Sequence, residues 1–355
     1  MTKKTTVALL FGGRSAEHDI SILSARAIFR NLDRAKFRPV SIYIDRAGRW
    51  RRVASPLLSD KKLARGPASG FLPWSGRPPA RPFRADIYFP VLHGPYGEDG
   101  TIQGLLEMAD VPFVGAGVLG SAAGMDKVVM KVLFESRGVP IVPYRVVLET
   151  EWRKAPAAVL RALRRALPLP LFVKPANLGS SVGITKVRRF ADTRASLELA
   201  FRYDRKVVVE AGILGRELEC SVLGNDEPAA SLPAEIVPFR DFYDYEEKYL
   251  DGKTVFHIPA KLPAAARAAV RKAAVAAFSA CGCEGMARVD FFLEAGTGRL
   301  YVNEINTIPG FTEISMYPKL WEASGLPFPR LVERLIELGF ERHRAKKRCV
   351  ARTRR

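Results

Sequence analysis

Arg288-Val289-Asp290-Phe291-Phe292-Leu293-Glu294, Ala295-Gly296-Thr297-Gly298 and Arg299-Leu300-Tyr301-Val302-Asn303-Glu304-Ile305-Asn306 read as a strand, a turn and a returning strand. With the turn centred on Thr297, one register sets Asp290 opposite Glu304 and Arg288 opposite Asn306. Side chains alternate along a strand, so these four residues then share one face. Two carboxylates at such close range repel each other unless a cation lies between them. Two carboxylates and a carboxamide form an all-oxygen set that suits Mg²⁺, which completes its shell with water and phosphate oxygens. Arg288 beside them is placed to stabilise a developing negative charge. Taken alone, the hairpin is equally compatible with a solvated polar face carrying a salt bridge from Arg288 to Asp290 or Glu304.

Two further segments bear on the choice. Leu171-Phe172-Val173-Lys174 reads as a strand ending in lysine, followed by a flexible small-residue loop and a second strand at Val182–Lys186. Small residues let backbone N–H groups approach phosphate oxygens closely, and Lys174 offers a point charge. The lysine precedes the glycines, so this is not a G-x-x-x-x-G-K-[ST] loop. An ordinary surface hairpin is the plain alternative. Gly12-Gly13-Arg14-Ser15-Ala16-Glu17 lacks the G-x-G-x-x-G spacing of a dinucleotide site. A carboxylate just past a strand suits a cationic group such as a substrate ammonium, although Glu17 alone also reads as a helix-start acid.

The rest of the chain divides around these segments. Val7–Phe11 is a buried strand, followed by a helical period of Ile20, Leu23, Ala27, Ile28 and Leu32. Val40–Ile44 and Ile87–Leu92 are strands, the latter leading into His93-Gly94-Pro95-Tyr96-Gly97-Glu98-Asp99-Gly100 and a short helix near Ile102–Met108. Such alternation predicts an open, mostly parallel sheet with functional loops beyond its strand ends. Ser55 to Pro82 is rich in Pro, Gly, Ser and Arg and reads as irregular and exposed. The boundaries fall at 1–117, 118–212 and 213–340, with 341–355 a basic tail expected to be disordered. The last helix before that tail is placed at Phe328–Leu338.

A chain of 355 residues is long enough for two or three domains. Its net charge of +19 invites a nucleic-acid reading. Arg49 to Arg84 carries a net +8 and Glu341 to Arg355 a net +7, leaving about +4 for everything else. The basicity therefore belongs to one loop-rich stretch and one tail. Cys220, Cys281, Cys283 and Cys349 form no C-x-x-C pair and read as reduced thiols. The four histidines are too scattered for a zinc site. The apolar stretch Val7–Phe11 ends at Gly12-Gly13, too short for a secretory core, and no run approaches a bilayer span. A cytoplasmic protein is expected.

Together these segments resemble the D-alanine–D-alanine ligase family of the ATP-grasp superfamily. The similarity runs from about Val7 to Leu338 and is carried by seven stretches in family order. They are Phe11–Glu17, Leu92–Gly100, Met125-Asp126-Lys127, Lys174–Gly183, Phe242–Tyr249, Arg288-Val289-Asp290 and Asn303–Gly310. The resemblance implies a mixed α/β and α+β chain, with a Rossmann-like N-terminal domain followed by a two-domain ATP-grasp fold. It also implies ATP as co-substrate, two Mg²⁺ or Mn²⁺ ions and a homodimer.

By the same resemblance, Lys127 and Lys174 contact phosphates, with Ser181 in the nucleotide loop. Glu210 matches the acid of the adenine-side linker, and Glu217 the ribose acid. Asp290, Glu304 and Asn306 match the metal ligands. Glu17 matches the residue holding the first D-alanine ammonium, and His93 lies on the same substrate side. Arg288 and the Gly310 N–H match the oxyanion pair, while Lys248, Ser315 and Met316 match groups near the second D-alanine carboxylate. Glu17, Ser180 and Tyr249 match a hydrogen-bonded set that closes the site. The implied reaction is ligation of two D-alanines through D-alanyl phosphate, for peptidoglycan precursor synthesis.

Ala211 departs from the pattern, standing where many relatives carry a lysine that touches adenine. Met316 replaces a common leucine, and the tail after Glu341 has no counterpart. The alternatives are D-alanyl-D-lactate synthesis, another ATP-grasp carboxylate–amine ligase, or a basic nucleic-acid-binding protein. The Tyr249 arrangement favours the dipeptide. The tail is expected to be solvated, with contact to nucleic acid or an anionic surface the lesser reading.

Overall fold

The computed structural model describes residues 3–66, 85–237 and 254–353. Three sheets follow one another along the chain. The first is built from β1 (Thr5–Gly12), α1 (His18–Asn31), β2 (Phe37–Ile44), β3 (Trp50–Val53), α2 (Asp60–Leu63), β4 (Ile87–Val91) and α3 (Thr101–Met108). Its strand order is β3-β2-β1-β4, and β1 runs parallel to both β2 and β4. Only β3 is antiparallel. Alternation along β1 splits the core in two. Val7, Leu9 and Phe11 join the cluster that holds Ile22, Ala25 and Ile28 of α1, while Ala8 and Leu10 face Ile102 and Leu106 of α3. A strand covered on both faces reads as the continuous apolar run seen in the sequence. Leu23, counted with the buried face of α1, is instead 45% exposed; the helix buries Ile22 and Ala25 in its place.

The second region holds α4 (Val118–Met125), α5 (Lys127–Ser136), β5 (Tyr144–Leu148), α6 (Glu149–Lys154), α7 (Pro156–Ala166), β6 (Leu171–Pro175), β7 (Thr185–Val187), α8 (Thr193–Ala200) and β8 (Lys206–Ala211). Its sheet is antiparallel throughout, in the order β5-β8-β6-β7. The strand expected at Val182–Lys186 starts three residues later, since β7 begins at Thr185.

The third region holds β9 (Gly215–Gly224), β10 (Ala229–Ala230), β11 (Ala234–Val237), β12 (Val255–His257), α9 (Ala264–Ala280), β13 (Gly285–Glu294), β14 (Leu300–Asn306), α10 (Met316–Ala323) and α11 (Phe328–Thr353). Its sheet runs β12-β11-β9-β13-β14. One face, through Leu218, Cys220, Val289 and Phe291, packs on Val270, Ala274 and Phe278 of α9. Ala123, Met130 and Phe134 join the same cluster. Helices α4 and α5, grouped by sequence with residues 137–212, therefore give their apolar side chains to the third sheet. Cys220, Cys281 and Cys283 are buried free thiols, and burial pushes both Cys220 and Cys281 up to about 12.

Two expectations need correction. The hairpin pairs Arg288 with Asn306 and Asp290 with Glu304, but Phe291 pairs with Val302. Two registers meet at a β-bulge, and Asn303 is the extra residue. Without the bulge, the register set by the turn would bring Asn303 opposite Asp290 and turn Glu304 to the other face.

The described part of the basic tail is also not disordered: α11 continues to Thr353. Leu331, Val332, Leu335 and Ile336 join the core beneath β1. Beyond them, the Arg342 guanidinium lies 3.9 Å from the centre of the Phe113 ring. It donates to the carbonyls of Gly115 and Phe113. Lys346 pairs with Glu107, and Lys347 lies 3.2 Å from Asp110. Acids at the end of α3 thus neutralise part of the charge and hold the extra turns. Among the described residues, no helix is long and apolar enough to cross a membrane.

Candidate active site

The other face of the third sheet carries a charged row across its central strands. Asp290 pairs across the ladder with Glu219 of β9 on one side and Glu304 of β14 on the other, giving a row of three carboxylates. The Arg288 guanidinium donates from Nε to Asp290 Oδ1 at 2.7 Å and from Nη2 to Oδ2 at 2.7 Å, and its Nε lies 3.2 Å from Glu219 Oε2. Asn306 Nδ2 donates to Asp290 Oδ2 at 3.0 Å. Burial alone would lower the Arg288 pKa, but Asp290, Glu219 and Glu304 hold it well above its ordinary value.

Helix α5 brings lysines to this face. Its buried residues are Lys127, Met130, Lys131 and Phe134, the spacing of one helical stripe. Asp126 caps the helix by accepting from the Val128 and Val129 N–H groups. Lys127 Nζ donates to the Leu178 carbonyl at 2.7 Å and lies 3.4 Å from Glu304 Oε2. Lys174, near the end of β6, has its Nζ 2.6 Å from Glu210 Oε2 and donates to Asn303 Oδ1 at 3.2 Å. Lys131 Nζ lies 2.8 Å from the other Glu210 oxygen. Burial raises the pKa of Glu210, yet the two ammonium groups outweigh it and hold the carboxyl down to about 2. Glu210 is thus an internal counter-ion for two lysines.

Glu304, Asp290, Lys127 and Lys174 line a cleft of about 580 Å³ between the second and third sheets. Ser180, Ser181, Glu217 and Ala211 line it too. Ser180 and Ser181 adopt left-handed backbone conformations, with φ of 50° and 59°. This curls the loop back, and the Ser180 hydroxyl donates to Glu17 Oε1.

Through Gly179, Ser180, Glu219 and Glu304 the cleft adjoins a smaller cavity of about 90 Å³. That cavity is lined by Glu17, His93, Glu98, Arg288, Asn306, Gly310, Ser315 and Met316. Gly94 is closely fitted against Glu17: its φ is +71°, and a Cβ there would lie 2.6 Å from Glu17 Oε2. Glu98 accepts from the Gly94 N–H at 2.7 Å and the Ile308 N–H at 3.1 Å. Burial, and then the charge of Glu17, push its carboxyl up to about 8.

His93 has both ring nitrogens engaged. Nδ1 donates to the Ile308 carbonyl at 2.9 Å, and Nε2 is 3.0 Å from Ser24 Oγ. Burial lowers its pKa, which suits a neutral ring that anchors the loop after β14. Ser315 Oγ accepts from the Thr312 N–H at 2.9 Å, and a Cβ on Gly310 would come within 2.6 Å of it. Fifteen of the seventeen residues singled out in the sequence therefore lie in or around one pair of adjoining cavities. Lys248 and Tyr249 lie outside the described residues.

Four residues were missed: Lys131, Glu219, Glu98 and Asn303. Lys131 lies four residues after Lys127 and Glu219 two after Glu217, so helical and strand periods place each beside its neighbour. Glu98 sits in a loop with no period, and Asn303 matters only because of the bulge.

The family models for the D-Ala-D-Ala ligase N-terminus and C-terminus match residues 6–116 and 133–337. The D-alanine–D-alanine ligase of Solibacter usitatus is 52% identical over 343 residues, covering 97% of this chain and 98% of that one. That of Heliobacterium modesticaldum is 48% identical, with 97% of each covered. Among solved structures, the D-alanine–D-alanine ligase from Coxiella burnetii matches with a TM-score of 0.85 at 38% identity, over 99% of both chains. The VanG D-Ala:D-Ser ligase from Enterococcus faecalis matches with a TM-score of 0.83 at 36% identity, over 95% of this chain and all of that one. Both halves of the matched pattern meet at the two cavities, and the chain belongs to the D-alanine–D-alanine ligase family.

Proposed function

We propose that this chain joins two D-alanine molecules at the expense of ATP, forming D-alanyl-D-alanine for peptidoglycan precursor synthesis in the cytoplasm. The observation that carries the reading is the junction of the two cavities. A cleft of about 580 Å³ with buried lysines opens onto a small one walled by Glu17, and the acidic row of β9, β13 and β14 lies between them. Phosphates beside Lys127 and Lys174 would then face an amino acid held by its ammonium at Glu17.

The donor set fits a hard cation, for three carboxylates and a carboxamide share one face while Arg288 and Lys127 supply the nearby positive charges. Asp290 and Glu304, with Asn306 turned to present its amide oxygen, would hold Mg²⁺ or Mn²⁺. Such ions supply charge neutralisation and alignment for phosphoryl transfer.

The protein's own groups then account for the steps. Glu17, aligned by Ser180 and Gly94, fixes the first D-alanine so that its carboxylate points toward the phosphates. A carboxylate oxygen attacks the γ-phosphorus, ADP departs, and D-alanyl phosphate forms. Lys127 and Lys174 offset the charge on the transferring group. The second D-alanine, its carboxylate near Ser315, Met316 and Lys248, adds through its deprotonated amine to the acyl carbonyl. Arg288 and the Gly310 N–H take up the oxyanion charge. The added nitrogen gives up a proton, which the departing phosphate can carry, and collapse expels inorganic phosphate and leaves the peptide bond. The loop at Ser180-Ser181, with Tyr249, excludes water that would hydrolyse the acyl phosphate. Glu217 takes the ribose, and backbone groups beside Glu210 and Ala211 read the base. The family's homodimer belongs to the same reading and is tested by sedimentation.

Purified protein given ATP, Mg²⁺ and D-alanine should release ADP and form a product with the mass of the dipeptide. L-Alanine should not replace D-alanine. Competition with D-serine and D-lactate tests the second site; predominant D-alanyl-D-serine or depsipeptide would overturn the assignment.

A further inference from the structure

Lys131 is fully buried, yet it touches none of the space where a nucleotide would sit. Its ammonium lies 2.8 Å from Glu210 Oε1 and 5.6 Å from the centre of the Tyr144 ring. The opposite Glu210 oxygen, Oε2, lies 2.6 Å from Lys174. Lys174, unlike Lys131, lines the large cleft. The three groups form a line: Lys131, then the carboxylate, then the lysine that faces the cleft. Elements from two packing units fix its ends. Lys131 comes from α5, packed on the third sheet, while Glu210 and Lys174 come from the adjacent strands β8 and β6.

The charges decide what this line does. Two ammonium groups and one carboxylate leave a net +1, and the end of the line that faces the cleft is Lys174. Remove Lys131, and Glu210 would draw wholly on Lys174. The pair would be neutral, and the ammonium would be pulled toward the carboxylate and away from Asn303 and the cleft. Burying a carboxylate with one cationic partner leaves that partner little charge to offer a third group.

We propose that Lys131 is a positioning residue for nucleotide binding: by neutralising Glu210 from behind, it frees the charge of Lys174 for the phosphates of ATP. This rests on the ligase reading, but its test is a binding measurement that does not require turnover. Mg²⁺–ADP affinity is measured by calorimetry on the full chain, alongside steady-state KM values for ATP and D-alanine. Lys131→Met should weaken Mg²⁺–ADP binding and raise the ATP KM about ten-fold, equivalent to about 1.4 kcal/mol. The D-alanine KM should stay within about two-fold on the same scale. Lys131→Arg, which keeps the charge, should restore most of the affinity.

The decisive variant is the double one. Glu210→Gln placed on Lys131→Met removes the carboxylate together with its rear partner and leaves Lys174 its full charge. Nucleotide affinity should recover relative to Lys131→Met alone. A purely structural role predicts the opposite, a further loss with both KM values rising together. Should Lys131→Met fail to fold, Lys131→Gln keeps a hydrogen bond to Glu210 without the charge and should show the same ten-fold loss. Unchanged Mg²⁺–ADP affinity in a folded single variant, or no recovery in the double one, overturns the proposal. Absence of D-alanine-dependent ATP use with normal nucleotide binding would count against the ligase reading instead.

Discussion

Replacing Arg288 by methionine should destabilise the protein in the absence of metal and make Mg²⁺ unusually stabilising. The guanidinium makes two 2.7 Å contacts with Asp290 and one of 3.2 Å with Glu219, and its side chain is only 17% exposed. Methionine fills similar volume but leaves two enclosed carboxylates without their cation. Each charge-assisted hydrogen bond contributes about 1.5–3 kcal/mol, so losing the pair to Asp290 costs roughly 3–6 kcal/mol. Breaking a buried ion pair from one side costs a similar amount, about 3–5 kcal/mol. Losing the guanidinium also leaves excess negative charge on the row of Asp290, Glu219 and Glu304, which a divalent cation would offset. At a hundred times its dissociation constant, such an ion returns about 2.7 kcal/mol. Urea denaturation followed by circular dichroism, in EDTA and in millimolar MgCl₂, reads both effects. A loss below about 1 kcal/mol in EDTA, or a smaller Mg²⁺ stabilisation in the variant than in the wild type, would refute the reasoning.

Other perturbations probe the remaining contacts. Glu98 is held up at about 8 against an ordinary 4.5, so the folded state keeps a proton that the unfolded state gives up. Stability should therefore fall as pH rises from about 4.5 to 8, and Glu98→Gln should flatten that slope; an unchanged slope contradicts the assignment. Gly94→Ala would put a methyl 2.6 Å from Glu17 Oε2, so the D-alanine KM should rise while the ATP KM does not. Equal changes in both would count against Glu17 as the ammonium site. Arg342→Ala removes the Phe113 stack and two carbonyl contacts, and should cost about 3 kcal/mol while exposing amides 342–349 to hydrogen exchange. Unchanged protection there would mean the extra turns hold themselves.

What was legible in the sequence follows from which physical rules are local. The hairpin face could be read because a period of two is strict and a turn makes it symmetric; Arg288, Asp290, Glu304 and Asn306 do share a face. The bulge could not, since nothing in Val302-Asn303-Glu304 marks an extra residue until β9 fixes the other side of β13. Lys131 reads locally as one more lysine on a helix, and only its tertiary contact with Glu210 of β8 shows that the two are buried together. The last turns of α11 carry no apolar stripe, and their order comes from Glu107, Asp110 and Phe113, more than 200 residues earlier in the chain. His93 was legible as a site residue, but its engagement with Ser24 and Ile308 depends on contacts across two units.

The central claim is that a D-alanine carboxylate, held at Glu17, attacks the γ-phosphorus of ATP before the second amine arrives. The most direct test is to supply D-alanine labelled with ¹⁸O in its carboxylate and to analyse the inorganic phosphate by mass spectrometry. One labelled oxygen in each phosphate released per dipeptide is the predicted result. Dipeptide formed alongside unlabelled phosphate would contradict the account.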